Sequence, residues 1–156
     1  MINKKFVSPA LMWLIIFSGV ALILWLVPAE AVLAQNAFTY ILVVSAVFYW
    51  LYFFSLAVFI NRQAAQSSVK TEKLVQHGVY GLVRHPIYAA DIVLAWGMFL
   101  FWPRLGVLVS AIWLTLIMFY WMRLEEGVLM EKFGQDYADY KKKVPMFLPR
   151  MFRKKR

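Results

Sequence analysis

Long apolar stretches dominate this chain of 156 residues and leave few ways for it to fold. Residues 9–27, 37–60 and 105–122 contain no charged side chain, and residues 87–102 contain only Asp91. A helix needs roughly 20 apolar residues to cross the hydrocarbon core of a bilayer. Hydrophobic residues make up 63% of the chain, above the roughly 45–50% of soluble domains. We therefore predict an all-α integral membrane protein with four transmembrane helices.

The spacing of these stretches predicts how the helices follow one another. Only Trp102, Pro103 and Arg104 separate the third stretch from the fourth, so the last two transmembrane helices should form a tight hairpin. Beyond Met122, apolar residues recur every three or four positions, which is typical of one face of a helix. These residues are Leu129, Phe133, Tyr137, Tyr140 and Val144. A C-terminal amphipathic helix is therefore predicted after the hairpin.

Four regions follow from this pattern. Two N-terminal transmembrane helices occupy 1–60, a polar loop 61–86, the hairpin 87–122, and the amphipathic helix with a basic tail 123–156. Lysine and arginine flank the apolar stretches and give a net charge of +9. Their distribution satisfies the positive-inside rule when both termini and the 61–86 loop are cytoplasmic. We predict a multi-pass protein of the cell inner or plasma membrane, with anionic lipid rather than nucleic acid as the partner of its basic residues.

A basic turn stands at the start of the third apolar stretch. Pro86 suits the first turn of a helix, which places His85 near the N-cap and leaves backbone N–H groups for an anionic group close to Arg84. Asp91 follows one to two turns later, inside the apolar stretch. An ionisable residue at such a position is costly unless it reaches water or lines a site.

A second polar cluster follows the fourth apolar stretch. Glu125 and Glu126 come directly after it, and Arg123 lies three residues before Glu126 on one helical face. A hairpin would bring this pair to the depth of Arg84 and His85, where a carboxylate could hold a cation or ligand hydroxyls. No grouping of His, Asp and Glu has metal-ligand spacing, and the chain has no cysteine, so we predict no metal.

The two clusters and the segment after them carry a resemblance to a known family. Between positions 74 and 149, about half of the chain, three spaced motifs occur in order: Gly78-Val79-Tyr80 with Arg84-His85-Pro86-x-Tyr88, then Glu125-Glu126-x-x-Leu129, then Phe133-Gly134-x-Asp136-Tyr137-x-x-Tyr140 continuing to Pro149. This pattern resembles the isoprenylcysteine carboxyl methyltransferase family and, more loosely, the related membrane phospholipid methyltransferases. The resemblance implies a methyltransferase core over residues 62–149.

The resemblance also implies a cofactor and its contacts. S-adenosylmethionine would bind between the last two transmembrane helices and the C-terminal segment, and a lipophilic or lipidated acceptor would reach it from the bilayer. The residues implied to contact the cofactor are Lys73, Leu74, Val75, Tyr80, His85, Pro86, Ile87, Tyr88 and Glu125. Tyr80 and Tyr88 offer aromatic faces to adenine or the sulfonium.

The catalytic residues depend on the acceptor, which the sequence leaves open. A carboxylate acceptor would need Arg84 or Arg123 to orient it, whereas an amine would need a base, for which Glu126 or Asp91 is the candidate. The leading hypothesis is an activity most like that of a protein-S-isoprenylcysteine carboxyl O-methyltransferase. The alternatives are a phospholipid, amine or thiol methyltransferase, a membrane reductase that uses a nicotinamide cofactor, and a non-enzymatic membrane scaffold.

Overall fold

The computed structural model describes residues 8–62 and 72–149, and within these ranges the chain is helical. Some of the basic residues that flank the apolar stretches, Lys4, Lys5 and Lys70, and the basic tail from Arg150 onwards lie outside the described residues. Four α-helices are present: α1 (Pro9–Leu26), α2 (Ala37–Ile60), α3 (Pro86–Phe101) and α4 (Leu105–Lys143). A short 3₁₀ turn covers Gly78–Gly81. The prediction of an all-α protein is confirmed, and the start of every predicted apolar helix agrees within one residue.

Three of the four helices are long and apolar enough to cross a membrane: α1, α2 and α4. The remaining helix, α3, has 16 residues and is shorter than the roughly 20 that a spanning helix usually needs. Three membrane spans are therefore supported directly by length and composition. A crossing by α3, and the orientation of the chain in the bilayer, stay predictions.

The four helices pack against each other in pairs around one main core. Helix α2 packs along α3, α1 packs along α4, and α3 contacts α4. The main apolar core lies between α1, α3 and α4 and contains Met12, Ile16, Ile92, Met118, Trp121 and Met122. Small residues allow α2 and α3 to approach closely, since a Cβ atom added at Gly97 would lie 2.7 Å from the Cβ of Ala46.

Helix α4 does not end with the apolar stretch at Met122. It continues as one element to Lys143, interrupted only by the non-helical backbone of Gly134 (φ 52°, ψ −122°). The predicted C-terminal helix is therefore the end of α4, redirected at Gly134. Its stripe of Tyr137, Tyr140 and Val144 is buried against Leu74. The bend lets this stripe cover the loop before α3.

The connections at the other end of the bundle are short and bonded to each other. The backbone N–H of Leu105 donates to the Glu30 carbonyl over 2.8 Å. The Arg104 guanidinium donates to the Ala29 carbonyl over 3.0 Å. Because α3 begins at Pro86 and ends beside these loops, the Arg84–His85 turn lies at the opposite end of the bundle.

Candidate functional site

The turn that leads into α3 is closed over by the C-terminal segment. Gly78 has a φ of 61°, which favours glycine, and His85 is the N-cap of α3 with Pro86 at the first helical position, as predicted. The backbone N–H of Arg84 donates to the Pro145 carbonyl over 2.9 Å, and that of His85 to the Met146 carbonyl over 3.2 Å. These two loop amides are therefore already satisfied, and the binding of an anionic group by amides of the first turn of α3 stays a prediction.

A buried ion-pair network holds Arg84 in place. Its Nε donates to Glu126 Oε1 over 2.8 Å, and its Nη2 lies 2.6 Å from the same oxygen. Its Nη1 donates to the carbonyl oxygens of Lys141 and Val144 over 3.1 and 2.5 Å. Lys141 Nζ lies 2.7 Å from Glu126 Oε2, so both carboxylate oxygens are paired. Glu126 thus binds Arg84 and Lys141, whereas the sequence suggested Arg123 as its neighbour.

The adjacent carboxylate, Glu125, has different surroundings. The hydroxyl of Tyr88 donates to Glu125 Oε1 over 2.8 Å, and His85 Nδ1 lies 3.8 Å from Oε2. Glu125 is only 7% exposed, and the described residues include no lysine or arginine paired with it. Its carboxylate lines an internal cavity, where a ligand could reach it.

These surroundings shift the two glutamate pKa values in opposite directions. Both residues lie beyond the apolar part of α4, which ends at Met122. Burial raises the pKa of Glu125 above its ordinary value, more than His85 and Tyr88 lower it. Burial alone would also raise the pKa of Glu126, but the side chains of His85, Lys141 and Arg84 lower it to about 2. Glu126 is therefore a fixed anion, and Glu125 is the carboxylate whose charge can respond to a ligand.

The cavity has a volume of about 480 Å³, within the roughly 300–1,000 Å³ typical of small-molecule sites. Its lining includes eight of the nine residues predicted to contact a cofactor: Leu74, Val75, Tyr80, His85, Pro86, Ile87, Tyr88 and Glu125. The ninth, Lys73, is exposed and outside this lining. Among the predicted catalytic residues, Arg84 lines both the cavity and a neighbouring surface groove, while Glu126 and the exposed Arg123 line the groove alone.

Several lining residues were not predicted as part of the site. Tyr137 and Tyr140, from the end of α4, line the cavity, and Tyr140 Oη donates to the Tyr80 carbonyl over 2.6 Å. The buried Tyr137 Oη has no hydrogen-bond partner among the described residues. The helical stripe marked both tyrosines as one apolar face, and their place in the third family motif was the signal that could have found them.

Asp91 also reaches the cavity, together with apolar residues of the first two helices. It accepts a hydrogen bond from Trp50 Nε1 over 2.8 Å. Met12 and Trp13 of α1, and Phe54 of α2, complete this part of the lining. The sequence indicated Asp91 as a residue that could line the site, and the structure places it there.

Comparison with known families agrees with this arrangement. A family model described as phospholipid methyltransferase matches residues 34–136, which include α2, the Arg84 turn, α3 and both glutamates. The chain belongs to the phospholipid methyltransferase family. The predicted resemblance to membrane methyltransferases of the isoprenylcysteine type is confirmed as well, since family relatives with that name match the chain.

Three relatives illustrate the range of this similarity. The protein-S-isoprenylcysteine O-methyltransferase of Schizosaccharomyces pombe is 37% identical over 84 residues, 51% of this chain and 34% of the relative. Methanethiol S-methyltransferase 2 of Bradyrhizobium diazoefficiens is 32% identical over 80 residues, 50% of this chain and 29% of the relative. The protein-S-isoprenylcysteine O-methyltransferase of Mus musculus is 37% identical over 93 residues, 57% of this chain and 32% of the relative. The matched segment thus covers about a third of each relative's length.

Proposed function

We propose that this protein is an integral membrane methyltransferase that takes its methyl group from S-adenosylmethionine and transfers it to a lipophilic acceptor. The observation that carries the proposal is the composition of the cavity. Residues from three separate parts of the chain, 74–75, 80–88 and 125–140, line one cavity in a chain that belongs to a methyltransferase family. Within it, Glu125 is a buried carboxylate that lacks a lysine or arginine partner among the described residues.

The polar end of the cavity fits the chemistry of S-adenosylmethionine. Glu125 can bind the ammonium or the ribose hydroxyls, and Tyr80 and Tyr88 offer aromatic faces for adenine or the sulfonium. One buried polar atom of the lining, Tyr137 Oη, has no hydrogen-bond partner among the described residues, while His85 Nε2 lies 3.5 Å from Glu126 Oε1. Because buried polar atoms are normally satisfied, the Tyr137 hydroxyl is suited to a polar group of a ligand.

The protein's own contribution would be binding, orientation and exclusion of water. When bound, the cofactor supplies a methyl group on a positively charged sulfur, which needs no metal and no covalent enzyme intermediate. The Arg84–Glu126 ion pair keeps the turn against α4, so that His85 and Glu125 face the same space. Fixing the two reactants in line and keeping water out would account for much of the acceleration.

The apolar end of the cavity supports a lipophilic acceptor. Met12, Trp13, Phe54 and Leu94 line it, on helices whose outer faces carry exposed apolar side chains. Relatives with the names isoprenylcysteine O-methyltransferase and methanethiol S-methyltransferase match the chain with similar identity. An acceptor with an apolar body, either a small molecule or a lipidated one, fits both the lining and these names.

The proposed membrane orientation follows from the charges at the two ends of the bundle. Arg84, Arg123 and Lys141–Lys143 lie near the site end, while Arg104 lies at the other end. The positive-inside rule would place the site at the cytoplasmic face of the cell inner or plasma membrane. In this orientation α3 crosses the bilayer together with α1, α2 and the apolar part of α4.

Ligand binding tests the proposed function. Calorimetry of the purified protein in detergent should show micromolar binding of S-adenosylhomocysteine. Glu125→Gln should weaken that binding by about 30-fold or more, as expected when a charge-assisted hydrogen bond is lost. The matched control is Glu131→Gln, which makes the same change at an exposed position on α4.

Each alternative has its own result in this experiment. Absence of S-adenosylhomocysteine binding to the wild-type protein would contradict the proposal and favour a membrane scaffold. Binding of a nicotinamide dinucleotide in its place would favour a reductase. Equal binding by the wild-type protein and Glu125→Gln would remove Glu125 from the cofactor site.

A further inference from the structure

Asp91 is an ionisable residue of the cavity lining that takes no part in the ion-pair network around the turn. The lining also contains apolar side chains, among them Met12, Trp13, Phe54 and Leu94. Its other ionisable residues include Arg84 and His85 of the turn and Glu125 of α4, which lies beside His85. Asp91 is half-buried on α3, at a position that an apolar helix would normally give to an apolar residue. An ionisable side chain in such a segment is expected to have a functional reason.

The contacts of Asp91 do not neutralise its charge. Trp50 Nε1, a neutral donor, is its hydrogen-bond partner, and no lysine or arginine in the described ranges forms an ion pair with it. Arg84, which also lines the cavity, is committed elsewhere, because it is paired with Glu126. A buried carboxylate without a cation is costly, so a ligand that donates a proton or a hydrogen bond to Asp91 would gain from binding there.

Asp91 is also close to the cofactor end of the cavity. It follows Tyr88 by three residues on α3, which places the two side chains on one face, about 4.5 Å apart along the helix axis. Tyr88 in turn donates to Glu125. Asp91 thus lies next to residues that are proposed to bind the cofactor, which is where donor and acceptor would have to meet.

We propose that Asp91 determines the class of acceptor: a lipophilic molecule whose nucleophilic atom carries a proton, as in an amine, a thiol or a hydroxyl, and not a free carboxylate. The inference rests on the proposed methyltransferase function and deepens it. An N–H, S–H or O–H group can donate to the open side of the Asp91 carboxylate. A carboxylate acceptor would instead bring a second negative charge against it in a low-dielectric space.

The reaction balances with Asp91 as the proton acceptor. The nucleophilic atom forms a new bond to the methyl carbon while the carbon–sulfur bond breaks, and the electron pair of that bond stays on sulfur. The proton that the nucleophile loses passes to the Asp91 carboxylate and from there to water. Trp50 keeps the carboxylate oriented through its hydrogen bond, so Trp50 is a positioning residue for this step.

The experiment compares three acceptor probes that share one chain: dodecylamine, dodecanethiol and dodecanoic acid. Transfer of labelled methyl from S-adenosylmethionine is measured with wild-type protein, Asp91→Asn, Asp91→Glu and Trp50→Phe. The wild-type protein should methylate the amine or the thiol in preference to the acid. Asp91→Asn should lower kcat for that probe by about 100-fold, which is the lower end of the rate contribution expected from a general base. The affinity for S-adenosylhomocysteine should be unchanged.

Two further variants separate chemistry from packing. Asp91→Glu retains a carboxylate and should recover about a tenth of the wild-type kcat, which a purely structural role of Asp91 would not predict. Trp50→Phe keeps the carboxylate and removes its donor, so it should lower kcat by less than about tenfold, in line with loss of one hydrogen bond. Retained S-adenosylhomocysteine binding shows that each variant is folded.

Three results would overturn the inference: equal kcat of Asp91→Asn and wild type on the protic probes, a wild-type preference for dodecanoic acid, or no transfer to either protic probe. Binding of S-adenosylhomocysteine distinguishes a failure of the acceptor inference from a failure of the proposed methyltransferase function. A wild-type protein that binds it but shows no dependence on Asp91 refutes only the acceptor inference. A wild-type protein that does not bind it refutes both.

Discussion

Arg84 and Glu126 form a buried ion pair between the turn before α3 and helix α4, with Nε and Nη2 of the guanidinium 2.8 and 2.6 Å from one carboxylate oxygen. Side chains at successive helical positions point about 100° apart, because the helix has about 3.6 residues per turn. With Glu126 directed to Arg84 and Lys141, Glu125 is turned into the cavity. One glutamate of the pair therefore holds the structure, and the other is available to a ligand.

Removal of the Glu126 carboxylate should destabilise the protein. Glu126→Ala leaves the guanidinium of Arg84 buried without its partner, which should lower the free energy of unfolding by about 3 kcal/mol. Denaturation in mixed detergent with increasing SDS measures the change. Asp139→Ala is the control, because it removes an exposed ion pair with Lys142 and should have no measurable effect. A loss for Glu126→Ala no larger than that of the control would contradict this role.

Affinity for the cofactor product should depend on pH through Glu125. Burial raises the pKa of Glu125 in the free protein, and an ammonium bound beside the carboxylate would lower it again. Affinity should therefore be highest above the free-protein pKa and fall as pH falls through it, by up to about tenfold per pH unit. Calorimetry with S-adenosylhomocysteine from about pH 8 down to about pH 5 covers the relevant range of carboxylate titration.

Glutamine at position 125 should remove this dependence. Glu125→Gln should bind more weakly and with an affinity that does not vary with pH, whereas Glu131→Gln should keep the wild-type slope. A pH-dependent affinity in Glu125→Gln would assign the titration to a different group.

The hydroxyl of Tyr140 should stabilise the contact between α4 and the 3₁₀ turn. It donates to the buried Tyr80 carbonyl over 2.6 Å. Tyr140→Phe leaves this carbonyl without that partner and should cost about 1–2 kcal/mol of unfolding free energy. Thermal unfolding in detergent measures it, with Tyr120→Phe as the control, since Tyr120 is 59% exposed on the same helix. Equal stability of the two variants would show that the hydrogen bond contributes little.

The bend at Gly134 should be needed to cover the cavity. Its φ of 52° with a ψ of −122° is a conformation open to glycine and strained for other residues. Gly134→Ala should lower stability by about 1–3 kcal/mol and weaken S-adenosylhomocysteine binding, because a straighter α4 moves Tyr137 and Tyr140 away. Gly127→Ala, at a helical position of α4, should be neutral or stabilising by up to about 1 kcal/mol. Wild-type affinity in Gly134→Ala would mean that the bend is dispensable for the site.

Local signals in the sequence were sufficient for the starts of the helices. The bounds of α2 agree with its apolar stretch, and His85 and Pro86 begin α3 as their backbone preferences predict. Helix starts of this kind depend on neighbours within a few positions along the chain, so they can be read without knowledge of the fold. Eight lining residues, including Glu125, were indicated by the resemblance to a known family and not by local signals.

The amino-acid sequence by itself determined where the apolar helices run and which residues could form a polar site at their ends, because hydropathy and capping act over short separations. The tertiary structure alone decided the partners: Glu126 with Arg84 and Lys141 instead of Arg123, and Asp91 with Trp50. Arg84 and Glu126 are 42 positions apart, and Trp50 and Asp91 are 41 apart. Helical periodicity shows which face of its helix a residue occupies. Which side chain of another helix contacts that residue depends on how elements distant in the sequence pack together.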